Sequence, residues 1–87
     1  MKFIDSRLFA DPEAAAKKLM KIASGIEPVQ DGRIFIELIN WPFLHDLRGK
    51  PAEYKGGLRL AIARGWLWKH ESGTYVKITQ KGVELFA

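Results

Sequence analysis

Between Pro51 and Gly65 the chain holds one helix-length segment with a signal at each end, and this segment limits the fold more than any other. Proline suits the first helical turn, glycine suits the position past the last, and Arg64 sits where the helix end is negative. Tyr54, Leu58, Ala61 and Ile62 recur at i, i+4, i+7 and i+8, which predicts one buried face. Two β-prone runs follow, Trp66-Leu67-Trp68-Lys69-His70 and Thr74-Tyr75-Val76-Lys77-Ile78-Thr79. The intervening Glu71-Ser72-Gly73 makes them a hairpin with a three-residue loop. The tail from Gln80 to Phe86 predicts a short last helix that covers the core with Val83 and Phe86.

The upstream half is also punctuated. In Asp11-Pro12-Glu13 an acceptor side chain, a first-turn proline and an acid at the positive helix end combine as a helix start. The predicted helix, Pro12 to Ser24, puts Ala15, Leu19, Ile22 and Ala23 on one face and Lys17, Lys18 and Lys21 on the other, with Gly25 as its stop. Gly32-Arg33-Ile34-Phe35-Ile36-Glu37-Leu38, with β-branched and aromatic residues after Asp31-Gly32, reads as a short strand with room to run on into a helix. Asn40-Trp41-Pro42 reads as a second helix start, and that helix must end by Gly49.

A chain of 87 residues supports one core, so residues 1–87 are expected to form a single domain, with 1–10 as an amino-terminal arm. Hydrophobic residues at 47% and charged residues at 28% fit a soluble globular chain rather than a disordered one. No apolar run approaches the roughly 20 residues of a membrane span. The charges in Met1-Lys2-Phe3-Ile4-Asp5-Ser6-Arg7 argue against an export signal. The absence of cysteine excludes disulfides, thiolate metal sites and cysteine nucleophiles, and it is consistent with the expected cytoplasmic location.

Helix, short strand, helix, helix and hairpin is the order of a winged helix-turn-helix domain. Leu58 to Phe86 resembles the second half of such domains in bacterial transcriptional regulators. There the recognition helix commonly ends in Gly and two apolar residues, here Gly65-Trp66-Leu67. The wing is commonly followed by an apolar-x-apolar-Thr-x-x-Gly pattern, here Val76-Lys77-Ile78-Thr79-Gln80-Lys81-Gly82. Residues 1–47 match in element order alone. The resemblance implies an α+β fold with a three-helix core, a short strand, a carboxy-terminal hairpin wing and a short last helix.

Charge distribution points to the same class of partner. Residues 1–47 carry six Lys/Arg against seven Asp/Glu, whereas residues 48–87 carry eight against three. A basic half suits a polyanion, although a lysine-rich solvated surface has the same composition. The resemblance implies that the third helix enters the major groove of double-stranded DNA and that the wing meets its backbone. Lys50, Lys55 and Arg59 would then contact DNA from the helix, and Lys69 and Lys77 from the wing. The outward helix face is Ala52, Gly56, Arg59, Leu60 and Ala63. Arg59 alone is a typical base reader there, and Gln and Asn are absent from the helix. Gly56 and Gly57 each cost about 1 kcal/mol relative to Ala. That cost is explained if Gly57 meets another helix of the fold and Gly56 meets something outside it, a phosphate backbone or a partner helix. The rival reading is a protein-interaction or dimerisation module, without nucleic acid, that uses Leu60 and Trp68.

Catalytic constellations are missing, so neither an enzyme nor a cofactor is expected. His45 and His70 are single, and a lone histidine is most often structural or solvated. His70-Glu71-Ser72 falls in a tight turn, where neighbouring side chains are not expected to fold back into a relay. The carboxylates show no metal-ligand spacing, and Lys55-Gly56-Gly57 lacks the strand-to-helix turn of a phosphate loop. Trp66 and Trp68 admit three readings: packing on the arm Phe3-Ile4…Leu8-Phe9, an exposed patch for a protein or second copy, or stacking on unpaired bases.

Overall fold

A computed structural model describes residues 9–86. Helix α1 is Pro12–Ser24, and Asp11 caps it by accepting the Glu13 N–H on its carboxylate at 3.0 Å. Its buried face is Ala15, Ala16, Leu19, Met20 and Ala23. A loop and a short turn at Gln30–Gly32 lead to strand β1, Ile34–Phe35. Helix α2 is Ile36–Trp41, and its helical path continues as a wider turn over Pro42–Asp46. Helix α3 is Pro51–Ala63, strands β2 and β3 are Leu67–Lys69 and Tyr75–Ile78, and helix α4 is Gln80–Phe86. The three strands form one antiparallel sheet in the order β1-β3-β2.

Helix α3 lies against α1 through a seam of very small residues. A Cβ on Gly57 would stand 2.8 Å from the Ala15 Cβ and 2.9 Å from the Ala15 carbonyl carbon, closer than real side chains come. Ala15, Ala16 and Ala61 complete this seam without exposure. Gly56, one residue away, has nothing among the described residues within 4 Å of the place its Cβ would occupy. Adjacent glycines therefore have opposite roles, and the expected division between them holds on the inner side.

The second helix starts earlier than Asn40-Trp41-Pro42 suggests. It leaves β1 directly, with Phe35 as a cap residue that offers no side-chain hydrogen bond. Pro42 lies inside the helical path, where it has no N–H to give. The chain widens there: Leu47 N–H bonds the Pro42 carbonyl, five residues back, at 3.0 Å. Arg48 then adopts a left-handed backbone at φ 57°, and Gly49 N–H bonds the Phe43 carbonyl at 2.8 Å. A Cβ on Gly49 would overlap the Phe43 ring, so this turn needs glycine at its second position.

Phe43 is at the centre of the core with Leu19, Met20, Ile39, Leu67 and Val76, all fully buried. Phe9 packs on its ring at 4.8 Å, and Tyr54 at 6.1 Å. Several sequence expectations need correction. Ile62 is half-buried rather than buried, and Leu60 is not outward but packs partly against the core. Val83 is exposed, and α4 covers the core with Gly82 and Phe86 instead. Trp66 is buried against Phe86, with ring centroids 4.8 Å apart; packing of the tryptophans on the amino-terminal arm concerns residues of which Phe9 and Ala10 alone are described. Residues 1–8 of that arm lie outside the described residues.

The Thr-x-x-Gly pattern has a structural purpose. Thr79 caps α4 by accepting the Gly82 N–H on its hydroxyl at 3.0 Å, and the same hydroxyl donates to the Gly65 carbonyl. Thr79 N–H bonds the Trp66 carbonyl at 3.1 Å. One residue thus ties the hairpin and α4 to the end of α3. A Cβ on Gly82 would collide with the Trp66 carbonyl oxygen.

The paired glycines give a direct test. Gly56→Ala should stabilise the protein by about 0.5–1 kcal/mol, through helix propensity alone. Gly57→Ala should destabilise it by about 1–3 kcal/mol, because the methyl group overpacks the seam. Urea unfolding of the two variants beside wild type checks the opposite signs.

Candidate nucleic-acid interface

Helix α3 presents Ala52, Lys55, Arg59 and Ala63 to solvent around the bare Gly56 backbone. Lys50 precedes the helix, and its backbone N–H donates to the Glu53 carboxylate at 2.9 Å, which leaves its ammonium exposed. Among the described residues, the ion pairs are Glu13 with Lys17 at 3.5 Å, Glu13 with Arg64 at 3.0 Å and Asp31 with Arg33 at 4.0 Å. Lys50, Lys55, Arg59, Lys69 and Lys77 therefore have no carboxylate partner among those residues. The hydrogen bond from Arg64, followed by its charge, holds the Glu13 carboxyl below its ordinary range. Arg64 is thus committed to joining α1 to the end of α3.

The hairpin divides its two lysines between opposite faces. Leu67 pairs with Ile78, Trp68 with Lys77 and Lys69 with Val76. Side chains alternate along a strand, so Lys69 shares the Leu67 side and Lys77 the Trp68 side. The Lys77 ammonium lies over the Trp68 ring, 5.8 Å from its centroid. The structure brings Trp68 and Lys77 together but does not put Lys69 on the same face.

The Trp68 side is the outer face of the sheet, and it is aromatic. Phe35 is opposite Tyr75 across β1 and β3. His70 stacks on Tyr75 with centroids 4.6 Å apart and an 18° tilt. The Arg33 guanidinium lies 4.9 Å from the centroid of the same Tyr75 ring. Because β1 and β2 flank β3, Arg33 and His70 reach Tyr75 from opposite sides. Trp68 meets His70 edge-on at 5.8 Å and Tyr75 at 6.2 Å. Phe35 is 41% exposed and Trp68 47%, so rings with free surface flank the packed row. A shallow groove lined by Phe35, Asn40, Gly73 and Thr74 adjoins it.

Sequence reasoning missed Arg33, Phe35 and Tyr75 as members of one surface. The alternation in Tyr75-Val76-Lys77-Ile78 contained part of the signal. The pairing of β1 with β3 did not show, because residues so far apart in sequence leave no local trace of their register.

His70 does approach Ser72, contrary to the expectation for a tight turn. Its Nδ1 accepts the Ser72 N–H at 3.1 Å and lies 2.9 Å from the Ser72 hydroxyl, which in turn lies 2.8 Å from the Thr74 hydroxyl. With Nδ1 as acceptor, the neutral ring carries its proton on Nε2. This network fixes the hairpin tip, where Gly73 takes φ 77°. His45 stacks instead on the exposed Trp41, 3.7 Å between centroids. Among the described residues no cluster of three His, Cys, Asp or Glu could hold a metal, and no helix is long and apolar enough to cross a membrane.

The chain matches no protein-family model, no curated protein and no solved structure. Its functional reading therefore comes from the surfaces themselves.

One buried group offers a test of the core beneath α3. The Tyr54 hydroxyl is buried with no hydrogen-bond partner among the described residues, and burial raises its pKa above the ordinary value. The unfolded chain loses this proton at about pH 10, whereas the folded chain retains it to higher pH. Stability should therefore fall as pH rises through that window. Tyr54→Phe should remove this part of the alkaline slope and leave stability near neutral pH unchanged or higher. Thermal melts of both proteins between neutral pH and the alkaline limb measure the difference.

Proposed function

We propose that this chain is a winged helix-turn-helix module, not an enzyme, that binds double-stranded DNA through α3 and the β2–β3 hairpin. The element order supports the fold reading: β1 lies between α1 and α2 and pairs with β3, so one small sheet closes over the helices. The observation that carries the functional reading is the exposed face of α3. Lys55 and Arg59 lie there without carboxylate partners among the described residues, around the open backbone at Gly56. A phosphate backbone can approach such a surface closely, and both cations gain from its charge. Lys50 adds a cation at the start of the helix, and Lys69 and Lys77 extend the charge to the hairpin.

The balance of side chains favours positioning on DNA over reading its sequence. Phosphate contacts set orientation, whereas base edges need bidentate donors and acceptors. Arg59 is the one such group on the outward face of α3. A role in transcriptional regulation, as the resemblance implies, then rests on modest specificity at α3. The rival reading as a protein-interaction module loses one support in Leu60, which packs partly against the core, and keeps Trp68, which is exposed.

Affinity for random duplex DNA should fall steeply with salt. Because Lys69 and Lys77 lie on opposite faces of the hairpin, three contacts, from Lys55, Arg59 and one of the two, give a log–log slope of about −2.7. Lys55→Glu should weaken all duplexes alike, and Arg59→Ala should reduce any preference among sites. Salt-titrated anisotropy measures both. No duplex binding at low salt, together with a dimer that Trp68→Asp dissolves, would replace this reading with the interaction module.

A further inference from the structure

We infer that the outer face of the sheet is a stacking surface for single-stranded DNA. The inference does not rest on the duplex reading: Lys77 belongs to both surfaces, but the rings that carry this one, Phe35 and Trp68, have no part in the duplex contacts. The side chains of the sheet are sorted by chemistry. Ile34, Leu67, Val76 and Ile78 turn to the core, whereas Phe35, Trp68, His70 and Tyr75 occupy the other face. Its large exposed groups are all rings, without an aliphatic member. A flat, sequence-tolerant ligand matches such a face, because every base has a π surface.

The cations beside the rings have the sign that the ligand needs, and Glu37 in the groove next to Phe35 opposes them at that edge. Arg33 lies over Tyr75 and Lys77 over Trp68, so a cation stands beside the rings at each side of the sheet. Asp31 is 4.0 Å from Arg33 and leaves Lys77 untouched. Bases stacked on Phe35 and Trp68 would bring their phosphates within reach of these cations. The Arg33–Tyr75–His70 row also fixes the platform before any ligand arrives, since Ser72 holds the His70 ring at Nδ1. Rings already immobilised lose little freedom on binding.

The sugar preference follows from the hydroxyls. Ser72 and Thr74 lie at the tip of this face, but their side chains bond each other and His70. Ser72 Oγ meets His70, the Thr74 hydroxyl and the Thr74 N–H, which uses its proton and both lone pairs and leaves Thr74 alone to accept from a 2′-hydroxyl, the group by which a protein selects RNA. We therefore assign DNA.

The test uses a fluorescein-labelled oligodeoxythymidylate of about 12 nucleotides, within the site sizes of small single-strand binders. Wild-type protein should raise its anisotropy at low salt. Trp68→Ala and Phe35→Ala should each weaken binding by about 5- to 150-fold, the usual effect of removing one stacking ring. Trp68→Phe should retain most of the affinity, because it keeps a π face. Lys55→Glu should leave this binding nearly unchanged while weakening duplex binding, which separates the two surfaces. Both alanine sites are substantially exposed, and unchanged circular dichroism and melting confirm that the variants fold. Three results would overturn the proposal: no binding of the oligonucleotide, wild-type affinity in both alanine variants, or an RNA homologue bound an order of magnitude more tightly. Self-association that Trp68→Ala abolishes, without single-strand binding, would assign the face to a protein contact.

Discussion

The contact between Gly57 and Ala15 sets the geometry of everything else. Two helices that touch through a hydrogen atom and a methyl group lie nearer than larger side chains allow, and α3 is pulled down onto α1 along that line. The other face of α3 is then fixed toward solvent, with Lys55, Gly56 and Arg59 upon it. Tyr54 and Leu58 are directed at the Phe43 core by the same rotation. Arg64 reaches Glu13 because the end of α3 lies beside the start of α1, so the ion pair closes a contact that packing has already made. Its own energy is small, because both side chains stand in solvent that screens them.

The second dependence runs through Thr79. Its hydroxyl and backbone hold the Gly65 and Trp66 carbonyls, and Gly82 fits where any side chain would strike Trp66. The hairpin therefore leaves α3 at a determined angle, and α4 folds back to place Phe86 on Trp66. The residues that resemble a family pattern in the sequence are the joint of this fold. Its Gly65, Thr79 and Gly82 hold the elements together through the backbone, whereas Lys77 within it stands on the outer face of the sheet.

Much of the architecture was legible because its signals are local. Asp11 and Pro12 mark the start of α1, and Pro51 and Gly65 bracket α3, each through bonds or backbone angles within a few residues. The start of α2 was not legible, because Phe35 caps it without a side-chain acceptor and Pro42 imitates a beginning inside the helical path. Leu60 and Val83 were misplaced for another reason. A helical wheel reports one stripe, but α3 is covered from more than one side, and α4 turns its Gly82 edge inward. The cations of α3 could be read as exposed from the wheel. The aromatic face could not, since it exists only once β1 joins β3 and sets Phe35 opposite Tyr75.

Gly56 has a meaning beyond its present contacts. The place its Cβ would occupy is open among the described residues, and its backbone is ordinary helix, so alanine fits there without strain. It follows Lys55 on the side of α3 away from the seam. In evolutionary terms this position is an untaken option: one codon change could add a small side chain there, and the core would not register the substitution. Its twin at position 57 has no such latitude, because Ala15 already fills the space.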